Sequence, residues 1–456
     1  MEFPLLGSLE KIVDEYNADE IKNYRKSRES VFKSIETYVK DNNLIIAGVM
    51  AMKNLLDRVN FDCDEVPNNM WYFEVYSPDA RRDCISLANK LFEEKFPLIE
   101  AKKDFDGSYV VWYKAQKACK FVHASASIFE RLPKETNKVN LIGKDIAYAS
   151  IEILKIPILM NYINPRQDIK NWETIVKIDS KVDQWYPFQN TGKDPDEGSK
   201  NYNKDLEKTE KWMVKEKDLI LIGNYAYQQF LKNSNYKKGY YPVINFYEVL
   251  SNNPKDHIKS LEKVLGSTLR VKEHQSQMKF HGTKYSVFKG DNKIIDIYDS
   301  SEECVPFVEI NKVKYGNYHV LLLYLYIGLW ISHKIQESSE TVANKLRDRL
   351  SKMIWTLINA RNWYLKEKGI SGIHDRKRDD LFDIFQIHCK GTQKNVEREF
   401  RIRKWKGDIK DKLMVMRSYK PEIWKKDTGS LLDPRKSKSP SPTKKKKRSK
   451  SVRIKT

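Results

Sequence analysis

A chain of 456 residues can hold two or three domains, and its 40% apolar and 12% aromatic content is enough to bury real cores, which excludes a wholly disordered protein. The formal net charge of +21 calls for a polyanionic partner, of which RNA or DNA is the usual one. The five cysteines (Cys63, Cys84, Cys119, Cys304, Cys389) are scattered, without Cys-x-x-Cys spacing, which argues against a disulfide framework or a cysteine zinc site and fits a reducing compartment.

Residues 9–41 carry Ile12, Val13, Tyr16, Ile21, Tyr24, Val31, Phe32, Ile35 and Val39 at mixed three- and four-residue spacing, the period of amphipathic helices, and form a helical lead-in over 1–43. Leu44–Ile46 reads as a buried strand feeding a helix over Ala51–Val59, with Gly48 at the tight turn between them. Turn chemistry over 60–69 precedes a second strand, Met70–Tyr76, and Ser77-Pro78-Asp79 caps a helix running to about Phe92. Tyr109–Tyr113 and Lys120–Ala124 are two further strands, giving a small mixed unit with one face of its sheet covered. A long apolar pattern from Val139 to Ile163 predicts one buried helix, and Asp168–Val182 a second, amphipathic one closed by Trp185-Tyr186-Pro187. A polar stretch follows, expected as a linker over 189–217.

The pattern then repeats. Ile220-Leu221-Ile222-Gly223-Asn224-Tyr225-Ala226 matches the strand and turn at Leu44–Ala51, and Asn245-Phe246-Tyr247-Glu248-Val249-Leu250-Ser251 matches Met70–Tyr76. Tyr285–Phe288 and Lys293–Tyr298 stand where Tyr109–Tyr113 and Lys120–Ala124 stood, and a helix over Tyr318–Trp330 matches Ala147–Leu159. Five features in one order point to an internal duplication, with units over 44–188 and 218–334. The remainder is a helical and basic region over 335–430 and a low-complexity tail over 431–456, expected to be disordered. From Arg435 to Thr456 there are eleven Lys or Arg and no acid, so about half of the excess charge lies in the tail, while the body is still basic. Lys444, Lys445, Lys446, Lys447 and Arg448 form its densest run, suited to RNA contact or to nuclear import. The longest apolar run, Val320–Ile331, is too short to span a bilayer, and Met1–Glu10 lacks the layout of a secretory signal, so an intracellular protein with no membrane partner is expected.

A strand, a small-residue turn opening a helix, and a later strand bearing alternate acids is the layout of nucleotidyltransferases. Backbone N–H groups at the turn hold a triphosphate, and carboxylates on neighbouring strands grip two divalent cations that activate the attacking 3′-hydroxyl and steady the leaving pyrophosphate. A Gly-x-x-Ala turn is more often simple strand-to-helix packing; the turn, spacing, strand and Ser-Pro-capped helix together are more specific.

The sequence resembles the poly(A) polymerases of large nucleocytoplasmic DNA viruses, a group related to the poxvirus catalytic subunit. The resemblance rests on Leu44-Ile45-Ile46-Ala47-Gly48-Val49-Met50-Ala51, Phe73-Glu74-Val75-Tyr76-Ser77-Pro78, Ile128-Phe129-Glu130-Arg131-Leu132-Pro133, Leu221-Ile222-Gly223-Asn224-Tyr225-Ala226-Tyr227 and Tyr318-His319-Val320-Leu321-Leu322-Leu323-Tyr324, in the family's order over roughly residues 40–335. It implies an α+β fold with two tandem nucleotidyltransferase-like units of the polymerase-β type, helical segments outside them, and addition of adenylates from ATP to mRNA 3′ ends with Mg²⁺ or Mn²⁺. It further implies RNA as partner, a homodimer or a heterodimer with an active poly(A) polymerase, and a site of action in the host cytoplasm, in virus factories, with the virion and the nucleus as further places.

Carried over residue by residue, the catalytic pattern departs from the family. The turn Gly-Gly-x-Ala is here Gly48-Val49-Met50-Ala51, so Gly48, Val49 and Ala51 are the candidate nucleotide-binding positions, with a β-branched side chain at the second. The strand Asp-Phe-Asp is here Tyr72-Phe73-Glu74, and a phenol is a poor Mg²⁺ ligand. The third carboxylate belongs near the end of Lys120–Ser127, where Phe121 to Ser127 include no acid. Glu74 is the remaining catalytic and metal-binding candidate, alone or with Asp62 or Asp64 of the upstream Asp62-Cys63-Asp64, although Pro67 and the two asparagines after it favour a turn there. His123 is a further possible ligand, though a lone strand histidine is more often a core or rim residue. Trp71, Tyr72, Tyr225 and Tyr227 are candidates for base stacking, packing being the commoner role. The second unit carries Phe246-Tyr247-Glu248 with Asp296 on a later strand, and is not expected to restore catalysis. The expectation is therefore a family member whose catalysis is impaired or lost, with an active enzyme and a structural nucleic-acid-binding protein as the alternatives.

Overall fold

The computed structural model describes residues 4–57, 70–104, 107–162, 169–189, 204–266, 268–276, 278, 280–301, 305–335, 340–367 and 419–421. Two seven-stranded mixed sheets are built on the same plan. In the first the spatial order is β3 (Ile99–Lys103), β4 (Tyr109–Tyr113), β5 (Gln116–His123), β2 (Phe73–Ser77), β1 (Ile45–Ala47), β7 (Ile146–Ala149), β6 (Lys134–Asn137). In the second it is β10 (Arg270–His274), β11 (Lys284–Lys289), β12 (Asn292–Asp299), β9 (Tyr247–Ser251), β8 (Leu219–Ile222), β14 (Val313–Gly316), β13 (Phe307–Ile310). Each strand of one sheet has its counterpart seven places on in the other, and the senses agree: β1 runs antiparallel to β2 and parallel to β7, as β8 does to β9 and β14.

The helices repeat as well. A long helix, α1 (Pro4–Asp41), leads into β1, and α7 (Lys204–Lys215) leads into β8 with the same gap of three residues. The stretch expected as a linker thus holds a helix of the second unit, buried through Thr209, Trp212 and Met213 and packed on α9 (Pro254–Leu265). Helices α2 (Gly48–Asp57) and α8 (Gly223–Asn233) open directly after the first strands, and α3 (Ala80–Glu93) and α9 follow the second. In α3 the side chain of Asp79 accepts from the Arg82 N–H, which caps the helix. Ser77 donates to Asp83 at 2.5 Å and accepts from the Asp79 N–H, and Ser251 pairs with His257 at 2.7 Å and accepts from the Asn253 N–H. One serine therefore ties strand to helix in both units.

The predicted helix over Val139–Ile163 is corrected. Residues 134–149 form the β6–β7 hairpin, and only Ile151–Tyr162 are helical, as α5. The apolar residues Ile146, Tyr148 and Ala149 fill an inner strand rather than a first helical turn, since a buried strand and a buried helix are both continuously apolar. The true counterpart of α5 is α10 (Tyr318–Ile335), each beginning two residues after the strand before it. The sequence match had set Ala147 against Tyr318, four residues out, which is about one helical turn and therefore preserves the apolar face.

Phe32 of α1 meets Phe73 edge-on at 5.0 Å and Tyr38 meets Phe121 at 6.4 Å, so one sheet face is closed by α1. On the opposite face Tyr76, beside Glu74, is 1% exposed, so that face too is covered at this point. Between the units, α5 packs on α10, and Phe188 meets Tyr326 edge-on at 5.8 Å. Lys155 of α5 is buried here, its ammonium 2.5 Å from both Asp179 and Asp183 of α6 (Ile169–Trp185). A final helix, α11 (Glu340–Glu367), covers α10, and Arg361 lies over the Tyr318 ring at 5.1 Å. Tyr419 pairs antiparallel with Ala101 and so caps the outer edge of the first sheet, its hydroxyl 2.5 Å from Asn89. The matching edge strand of the second sheet, β10, is exposed along most of its length. Among the described residues no helix is long and apolar enough to cross a membrane, and Cys84 and Cys119 are free, buried thiols.

Candidate functional site: two clefts at equivalent glycine turns

Each unit forms its cleft where the first strand breaks into a helix. Gly48 and Gly223 sit at the break with φ of +65° and +63°, a conformation that side chains other than glycine adopt at a cost. Each glycine lies against a glutamate of the next strand. A Cβ on Gly48 would come within 2.9 Å of Glu74 Cβ, and one on Gly223 within 2.8 Å of Glu248 Cβ. The glycines thus let the turn approach the acid-bearing face of the sheet. Of the other turn positions, Ala51 is fully buried and Val49 half-buried.

Register fixes what surrounds the glutamates. Tyr72 and Phe246 stand immediately before β2 and β9, two positions ahead of Glu74 and Glu248, and Phe246 lines the same cavity as Glu248. A lysine stands over the aromatic ring in both units, Lys117 at 5.8 Å from the Tyr72 centroid and Lys293 at 3.6 Å from that of Phe246. Across from Glu74 in the parallel β2–β5 pair is Lys120, and across from Glu248 in the β9–β12 pair is Asp296. Lys120 in the first unit thus stands where the second unit has Asp296. His123, at the end of β5, is exposed and paired in register with Ser77, three residues beyond Glu74.

In the first cleft the Lys120 ammonium lies 3.2 Å from Glu74, both side chains largely covered. Among the described residues this cleft offers one carboxylate, one phenol and one ammonium, and a divalent cation at Glu74 would have to displace a covered lysine. Among the described residues no group of three or more His, Cys, Asp or Glu is arranged to hold a metal. Asp62, Asp64 and the tail run Lys444–Arg448 lie outside the described residues.

The second cleft is a cavity of about 190 Å³ bounded by Gly223, Asn224, Phe246, Glu248, Asp296 and the inner face of α10. Asp296 is 2% exposed, accepts from Ser286 at 2.6 Å, and is paired with Lys293 at 2.6 Å and Lys284 at 3.7 Å. Burial, and then the Asp296 charge, push the Glu248 carboxyl up. Of the proposed stacking residues, Trp71 is buried with Arg25 4.0 Å above its ring, and Tyr227 is buried with its hydroxyl donating to the Tyr240 carbonyl. Tyr225 packs against Tyr247 and Tyr315. These three aromatics are engaged in packing. The sequence had located Glu248 and Asp296 but not their juxtaposition, which only strand register reveals.

A structure comparison finds the crystal structure of the Megavirus polyadenylate synthase, which matches over 94% of this chain and 88% of that one at 17% identity with a TM-score of 0.76. That likeness shows the fold: tandem nucleotidyltransferase-like units. A comparison with curated proteins gives no match. The family model for the poly(A) polymerase catalytic subunit matches residues 33–165, which span the first glycine turn and cleft. The model for the C-terminal part of the APMV poly(A) polymerase catalytic subunit matches residues 196–446, more than half of the chain. The chain therefore belongs to the viral poly(A) polymerase catalytic-subunit family.

Proposed function

We propose that this chain serves viral mRNA 3′ polyadenylation as a non-catalytic, RNA-binding subunit. The observation that carries the reading is Lys120, whose ammonium stands 3.2 Å from Glu74 at the place where the second unit has the acid Asp296. Without a metal pair the first cleft has no means of activating a 3′-hydroxyl or of holding the departing pyrophosphate, so no step of adenylate transfer is assigned to it. The net charge of +21 fits retention of RNA, with Lys444 to Arg448 as its most concentrated contact. The partner is a second copy or an active poly(A) polymerase. The site of action is the host cytoplasm and its virus factories, with packaging in the virion and tail-directed nuclear entry as further possibilities of the same reading.

Incubation of the full chain with labelled oligo(A), ATP and Mg²⁺ or Mn²⁺ tests it. No extension is expected. Extension that disappears in Glu74→Ala would establish an active enzyme with an unusual metal site, ATP and Mg²⁺ or Mn²⁺ then being its substrate and cofactors. In RNA filter binding over a salt series, removal of Arg435–Thr456 is expected to flatten the slope of log K against log salt while leaving measurable binding by the basic body.

A further inference from the structure

We propose that the second cleft binds a phosphate chain together with a divalent cation, Glu248 and Asp296 taking the cation and Lys284, Lys293 and Arg349 the phosphate oxygens. The inference does not depend on the reading of the first cleft.

Three observations carry it. First, the cleft is a real cavity of about 190 Å³, and all five side chains line it. Second, its two carboxylates stand in register on adjacent parallel strands, yet their partners are unequally shared. Lys293, Lys284 and Ser286 all attend Asp296. Glu248 has the Tyr298 hydroxyl at 3.5 Å, the outer limit of a hydrogen bond, and no ion pair within 4 Å among the described residues. An acid that lines a cavity beside a second acid, with the nearby lysines paired to its neighbour, has the chemistry to take a positive ligand. Third, Lys284, Lys293 and Arg349 line the cavity together with the two acids, Arg349 also donating to the Val243 carbonyl at 3.3 Å. A divalent ion on the carboxylates would release the two lysines from Asp296, and the oxygens of an anion of several charges would take its place.

A phosphate chain with its ion meets both demands at once. Mg²⁺ is commonly held by one or two carboxylates together with substrate phosphates rather than by an all-protein cage, so two acids suffice where a phosphate supplies the other oxygens. The cavity volume accommodates a di- or triphosphate with its ion, leaving a nucleoside, where there is one, at the mouth. The first cleft cannot do the same, since Lys120 stands at the position of Asp296 and already covers Glu74.

Isothermal titration of the full chain with ATP and with inorganic pyrophosphate, each in Mg²⁺ and in EDTA, tests the proposal. At least one ligand is expected to bind only with Mg²⁺, with affinity falling tenfold or more in Glu248→Gln and in Lys284→Ala and staying within twofold in Lys259→Ala, an exposed lysine of α9 outside the cavity. Equal binding of both ligands identifies the free phosphate chain as sufficient; binding of ATP alone identifies a nucleotide. Thermal melts establish which variants are folded, and if Glu248→Gln is not, Lys284→Ala, at the partly exposed start of β11, decides. The proposal is overturned if neither ligand binds, if binding is the same in EDTA, if it survives unchanged in the folded variant, or if Lys259→Ala abolishes it.

Discussion

The two clefts share a backbone and differ in one decisive side chain. Both have a left-handed glycine against a glutamate, an aromatic residue two positions before that glutamate, and a lysine over the aromatic ring. At the place where the next strand faces the glutamate, one has Lys120 and the other Asp296. An ammonium there closes an ion pair and ends the site's appetite for cations; a carboxylate leaves two acids and their surrounding lysines in need of a ligand. The apolar face of each sheet is held by packing, so Phe73 and Tyr247, Val75 and Val249 stay much alike, while the polar face changes charge without changing the fold. A fold that keeps its glycine turn therefore says little about which charges remain beside it.

The largest effect is expected where the units meet. Lys155 is the fifth residue of α5, and the fifth of α10 is Leu322, so one core helix carries a buried ion where its counterpart carries an alkyl group. Lys155→Leu would make the helices alike but leave Asp179 and Asp183 without their cation, at a cost of about 3–5 kcal/mol in chemical denaturation. Adding Asp179→Leu and Asp183→Asn should recover most of that loss. If the single change is neutral, the ion cluster plays no part in joining the units.

Next come the turns. Gly48→Ala and Gly223→Ala each force a residue with a Cβ to φ near +60°, an expected loss of about 1–3 kcal/mol. Gly223→Ala should cost more, because its Cβ would also fall on the Glu248 carboxylate, whereas at Gly48 the carboxylate is drawn aside toward Lys120. Equal losses would mean that the two glutamates lie alike in their clefts.

Much of this plan was legible in the residues, for physical reasons that also explain what was not. Leu44–Ile46 and Ile220–Ile222 are apolar runs broken by glycine, and that contrast is local, so the turns could be read directly. Charges across a sheet are not local: Glu248 and Asp296 are 48 residues apart in sequence and meet only through β9–β12 register, just as Lys120 meets Glu74. The β6–β7 hairpin was hidden because Ile146 to Ala149 run into α5 with only Ser150 between them, and Tyr419 gave no periodic signal because a single bridge residue has none. Clefts depend on such long-range pairings more than cores do, which is why the fold was easier to read than its site.

The smallest expected effect concerns another matched pair of acids. Glu36 and Glu210 each lie nine residues before the first strand of their unit. Glu210 accepts the Tyr247 hydroxyl at 3.0 Å, whereas the corresponding strand residue in the first unit is Phe73, which has no hydroxyl, and Glu36 accepts instead from the Ile142 and Leu141 N–H groups. Buried there, the Glu36 carboxyl is pushed up to about 7 by desolvation. The folded chain then holds a proton that the unfolded chain releases near pH 4.5, so the associated stability is complete below that value and is lost as the pH rises through about 7. Urea unfolding at pH 5 and pH 8 should show this as a decline of about 1–2 kcal/mol that Glu36→Gln removes, since glutamine keeps the acceptor oxygen and cannot ionise. A decline that persists in Glu36→Gln would assign the pH dependence to other groups and leave the two acids equivalent.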